Sequence, residues 1–199
     1  MSTDQAAVDA LTIAAAADDP LLASVATDQA TTITPIPLSA LPAWRLLDVL
    51  WHGPAHPVRW IVAVDDDRAI VITGHPERWE ALTVDAEVTT AEQAIELACV
   101  RTDAVRDMAK GYRRLSRAAD ISFRLPPTHE ARSVLEMART ALAEVVTPPS
   151  ATGHGPWTVT LWTLTDGALV RHEVVVARDG STTETTLVAA EDLPVPLTH

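Results

Sequence analysis

The chain has 199 residues, a mass of 21.3 kDa and a formal charge of −12 at pH 7, with 47% hydrophobic and 21% charged residues. That is a globular composition with enough chain for a real core, neither collagen-like nor disordered throughout. The acidic balance argues against nucleic-acid binding and against docking on anionic lipid, since both need Lys and Arg to meet phosphate.

The two longest charge-free runs, 29–44 and 145–165, carry several prolines and threonines, so neither reads as a membrane span. No Lys or Arg precedes Arg45, which argues against a secretory signal. A lone Cys99 makes no internal disulfide. The expected compartment is the cytoplasm. One Lys beside fourteen Arg, with abundant Ala, Val, Thr and Asp, matches a GC-rich bacterial genome.

Residues 1–43 hold five Asp and no basic residue and read as an acidic flexible tail or linker. A short helix over 4–17 would end at Asp18-Asp19-Pro20. Residues 27–42 carry Pro35, Pro37 and Pro42, which is linker chemistry because proline fixes φ and donates no backbone hydrogen bond. Residues 44–192 read as a single α+β domain, and 193–199 as a C-terminal tail.

The spacing of Leu46, Leu47, Val49 and Leu50 predicts a short helix over 44–51. Strands follow over 58–64 and 68–73 around the turn Asp65-Asp66-Asp67, and a third over 82–88. Thr89-Thr90-Ala91-Glu92 has the form of a capping box, opening a helix expected over 91–117. A short strand is expected over 121–125. A second helix follows over 128–146, with apolar positions at Val134, Leu135, Ala138, Ala141, Leu142, Val145 and Val146. A meander closes the chain, with strands over 157–165, 169–177 and 182–190 separated by Asp166-Gly167 and Asp179-Gly180. The expected class is α+β: an antiparallel sheet, made of an N-terminal hairpin and a C-terminal three-stranded meander, covered by two central helices.

No motif is specific enough to name a reaction. Cys99 lies mid-helix in Leu97-Ala98-Cys99-Val100 without a base to activate it, and reads as buried packing. His129-Glu130 does not complete a zinc-protease helix, because Ser133 stands where the second His belongs. The three-Asp run reads as turn chemistry before magnesium. His52, His56 and His75 are candidates for a ligand pocket beside nearby tryptophans. Gly53, Pro54 and Pro57 place the first two on a loop, so no metal and no cofactor is expected.

Charge patterning carries the strongest functional signal. Arg101, Arg106, Lys110, Arg113, Arg114 and Arg117 fall in the predicted helix against Asp103 and Asp107, leaving that segment at +4 in a −12 chain. Six tryptophans accompany one Phe and one Tyr. Trp162 alternates away from Trp157, Val159 and Leu161, which makes it the candidate interface tryptophan. The leading expectation is a non-enzymatic protein-binding factor, such as an adaptor, chaperone, immunity or assembly protein. Its partner would be another protein with an acidic surface, and a homo-oligomer stays open. The alternative is a small enzyme or ligand-binding protein built on the His/Trp pocket.

Overall fold

The computed structural model describes residues 19–65, 68–108 and 110–196. It is α+β, with two antiparallel sheets and three helices of seven or more residues. The described residues fall into two compact units. One runs to residue 88 and adds 100–106 and 178–181; the other comprises 89–99, 107–177 and 182–196.

The first unit begins with helix α1 (Pro20–Val25), followed by strands β1 (Thr31–Ile36), β2 (Arg45–His52), β3 (Pro57–Val64) and β4 (Ala69–Val71). The strands pair in the order β1-β2-β3-β4, all antiparallel, with Thr31 opposite Trp51, Val49 opposite Trp60 and Val62 opposite Val71. Leu22 and Val25 of α1 pack into a cluster with Leu47, Val49, Trp60, Val62, Val64 and Val71. Helix α2 (Pro76–Leu82) and a 3₁₀ turn (Thr83–Asp85) follow, with Trp79 and Leu82 buried.

Several expectations for this unit are corrected. The helix expected over 44–51 is β2. Leu46 on one face and Leu47 and Val49 on the other are all buried, so a strand covered on both sides loses its period-two signature and imitates helical spacing. The linker expected at 27–42 contains β1. Pro35 is tolerated there because β1 is an edge strand, where the missing N–H interrupts no ladder. Residues 82–88 form no strand, because Pro76 starts a helix at its first turn. Asp19 is the N-cap of α1. Its Oδ1 accepts from the N–H groups of Leu21 and Leu22 at 3.0 and 3.1 Å. The helix expected over 4–17 lies outside the described residues.

Helix α3 (Ala91–Val105) is shorter than the 91–117 expected. The capping residues sit one position later than the sequence pattern implies. Thr90 Oγ1 accepts from the Gln93 N–H at 3.2 Å, and Gln93 Oε1 accepts from the Thr89 N–H at 2.8 Å. In place of the last helical turns, Tyr112–Leu115 forms strand β5, whose Arg114 lies opposite Thr163. Pairing with another strand overrides helical propensity here.

The second unit is built on a five-stranded antiparallel sheet. Strand β7 (Trp157–Thr165) is followed by β8 (Ala168–Val176) and β9 (Thr182–Ala190), so the meander forms as expected. Asp166 and Gly167 turn the first hairpin with φ of 48° and 81°, the left-handed pair that a two-residue turn requires. The other edge of β7 is shared by β6 (Ser150–Gly153) and β5, neither of which the sequence pattern reveals. Helix α4 (His129–Val145) also forms as expected, capped by Thr128 Oγ1 on the Ala131 N–H. Residues 121–125 are not a strand; after a 3₁₀ turn (Ala118–Asp120) the chain runs irregularly with Ile121 buried. Leu115, Ile121, Val146, Trp162, Leu164, Leu169 and Val195 form the core on one side of this sheet.

The second oxygen of Asp19 accepts from Trp60 Nε1 at 2.7 Å, so one carboxylate caps α1 and anchors a core indole. Replacing Asp19 with Ala is expected to destabilise the first unit by about 2 kcal/mol, roughly half from the cap and half from the stranded indole N–H. Asp19→Asn keeps a capping oxygen and should lose less. Urea unfolding followed by tryptophan fluorescence checks the order.

Candidate functional site

Several exposed large apolar side chains of the second unit stand on β9 and on α4. Strand order β5-β7-β8-β9 leaves the outer edge of β9 without a strand neighbour among the described residues. Its sequence, Thr-Thr-Glu-Thr-Thr-Leu-Val-Ala-Ala, contains one charged residue. Natural edges are usually shortened or carry outward charge, and this one is nine residues long. Leu187 is 60% exposed and Val188 50% exposed. Helix α4 buries Leu135 and turns Val134, Met137 and Val145 outward. A groove between the end of α4 and the sheet is lined by Val145, Thr147, Thr160, Trp162, Arg171 and Leu187. Arg171 Nη2 donates to Glu173 Oε1 at 2.5 Å and is thereby held over the strands.

Trp162 lies at the base of this groove and is not an exposed residue. It is 5% exposed and packs with Leu115, Val146 and Leu164. The alternation is as expected; Leu142 and Val146, at the end of α4 and just beyond it, and the segment around Leu193 and Val195 cover the face on which it falls.

The six cationic residues do not share a helix. Arg101 lies on α3, and Arg106 and Lys110 follow its end; Arg113 and Arg114 stand on β5, and Arg117 precedes the 3₁₀ turn. Lys110, Arg113, Arg114 and Arg117 are exposed. In β5 consecutive residues project to opposite faces, so Arg113 and Arg114 diverge. Arg117 Nε donates to Asp120 Oδ1 at 3.0 Å. That bond, with the Ser116 and Arg117 N–H groups, holds the Asp120 carboxyl below its ordinary range.

In the first unit, His52 ends β2 and His56 lies in the loop before β3, both exposed. His75 precedes α2, and its Nδ1 lies 2.9 Å from Glu77 Oε1. No group of three His, Cys, Asp or Glu side chains among the described residues is placed to hold a metal ion.

A chain of polar side chains that sequence reasoning missed crosses β7, β8 and β9. His172 Nδ1 lies 2.6 Å from Glu184 Oε1, and His172 Nε2 lies 2.8 Å from Thr163 Oγ1. Acid, imidazole and hydroxyl in that order have the connectivity of a hydrolase triad. Thr163 is fully buried, however, so its hydroxyl meets no substrate. The arrangement satisfies buried polar groups inside the sheet. Only cross-strand register could have revealed it, since the three residues share one face of adjacent strands.

Comparison with protein-family models, with curated proteins and with solved structures finds no match to this chain.

Two outcomes follow from this geometry. Thr163→Val should cost about 1–3 kcal/mol of stability by stranding His172 Nε2; an unchanged denaturant midpoint would contradict the buried network. The Asp120 carboxyl is depressed, so its hold on the Ser116 and Arg117 amides is complete above the ordinary carboxylate range and is lost as pH falls through the lowered value. Hydrogen exchange at those two amides, relative to intrinsic rates, should accelerate at acid pH, and at neutral pH in Asp120→Asn.

Proposed function

We propose that the chain is a non-enzymatic protein-binding factor of a bacterial cytoplasm, of the adaptor, chaperone, immunity or assembly kind. The single observation that carries this reading is the open edge of β9. An extended segment of a partner added there gains main-chain hydrogen bonds along the edge, while a pocket beside it selects side chains. The groove beside β9 supplies such a pocket, with Val145, Trp162 and Leu187 for an apolar side chain. Aromatic and aliphatic anchors of this kind carry most of the energy in protein interfaces.

The opposite edge of the sheet supports a partner with an acidic surface. Strand β5 presents Arg113 and Arg114 three strand spacings from β9, about 14 Å away. Charges guard that edge against strand addition and attract an acidic body flanking the docked segment. No observation favours a histidine pocket, since His52 and His56 are exposed and His75 lies against Glu77.

A photo-crosslinking residue at position 187 of the full chain, activated in cells, tests the reading. The expected result is one heterologous protein, crosslinked through an extended segment and lost when Val145→Asp places a charge in the groove. Leu187→Asp should weaken binding of that purified partner tenfold or more without shifting the melting temperature. Crosslinks to a second copy alone, or to no protein, would overturn the proposal.

A further inference from the structure

A separate cleft lies at the turn end of β5 and β7, within the second unit. It is shallow and open to solvent, with about 40 Å³ of room between its walls. Its lining combines Arg113, Ser122 and Asp166 with Leu164, Val195 and Pro196. We propose that this cleft binds a small aliphatic α-amino acid as the zwitterion.

The argument begins at Arg113. Its Nη1 donates to the backbone carbonyl of Asp120 at 2.9 Å and approaches Ser122 Oγ at 3.4 Å. Those contacts fix one corner of the guanidinium. Nε and Nη2 donate to no further group among the described residues. That free edge is a planar two-point fork, the geometry that matches a carboxylate.

Asp166 supplies the opposite charge. Its Oδ1 accepts from the Gly111 N–H at 2.8 Å, and its own N–H donates to the Gly111 carbonyl at 3.0 Å. The residue is pinned by its backbone and one oxygen, and Oδ2 accepts no hydrogen bond among the described residues. Gly111 and Arg113 are two residues apart, about 7 Å along an extended chain. A carboxylate alone would meet the repulsion of Asp166, and an amine alone that of Arg113. A zwitterion answers both. Leu164, Val195 and Pro196 leave apolar wall for a small aliphatic side chain.

The walls are tied in place. The Leu193 N–H donates to the Gly167 carbonyl at 2.9 Å, and the Arg124 N–H to the Pro194 carbonyl at 2.7 Å. Gly167 has φ of +81°, and a Cβ there would stand 3.2 Å from the Leu193 carbonyl oxygen, so only glycine lets the two segments approach this closely. Arg113 is exposed, which sets the affinity near the weak end for small ligands, on the order of 1 mM.

The test is a titration of the full ¹⁵N-labelled chain with glycine, L-alanine, L-valine, acetate and methylammonium, followed by amide shifts. Saturable shifts at Gly111 and Gly167 are expected with alanine or valine, at least tenfold tighter than with acetate or methylammonium. Arg113→Lys keeps the charge, removes the fork and should weaken alanine binding about tenfold. Asp166→Asn suits the same left-handed turn, so the fold is kept. It should weaken the amino acid and strengthen acetate. The absence of saturable shifts with any amino acid would overturn the proposal. So would acetate binding as tightly as valine, or unchanged binding in both variants.

Discussion

Backbone pairing along β7 is the constraint on which the second unit depends. One edge of this strand is paired along its whole length by β8, and the other is divided between β6 and β5. With neighbours on both edges and packing over Trp162 and Leu164, six of its residues are buried. The same register sets the chemistry. It puts Thr163, His172 and Glu184 on one face of three successive strands. It also brings the end of β5 to the β7–β8 turn, so that Gly111 meets Asp166.

What could be read from residues alone followed local chemistry. The meander is legible because Asp166-Gly167 and Asp179-Gly180 favour positive φ between β-branched runs. Helix α4 is legible because a hydroxyl cap precedes a clean amphipathic pattern. Of the strands that escaped, β1, β2 and β6 pair with their neighbours in sequence, and β5 alone pairs with a strand distant in sequence. Strand β2 looks helical because both of its faces are buried, and β1 looks like linker because an edge strand accepts Pro35. Strand β5 hides in a run of arginines whose spacing suits a helix. For the candidate site, the amphipathic length of α4 was readable, but not which apolar positions stay outside. Val134 and Val145 are as apolar as Leu135 and Val146, and only packing separates them. Arg113 was legible as a charge, yet the cleft it lines depends on β5 being a strand.

The unusual tryptophan content has a structural account in the first unit. Trp60 and Trp51 direct their indole N–H groups to Asp19 and Asp28, while the Arg68 guanidinium lies 4.7 Å from the Trp44 ring centre. The acids near the start of the described chain therefore act as partners for indoles that are largely apolar and need one acceptor each. Trp79 departs from this pattern: it is fully buried and its Nε1 has no hydrogen-bond partner among the described residues.

The edge of β9, without a strand neighbour among the described residues, also bears on how the molecule behaves in concentrated solution. Two such edges are self-complementary, since an antiparallel strand pairs with its own copy about a two-fold axis. What opposes that contact is long-range: each chain carries a formal charge of −12. The repulsion reaches only about 8 Å at physiological ionic strength and shortens further as salt rises. Colloidal stability of this protein is thus set by a contest between a short-range strand edge and a screened net charge. Added salt therefore weakens the repulsion that opposes contact between two such edges.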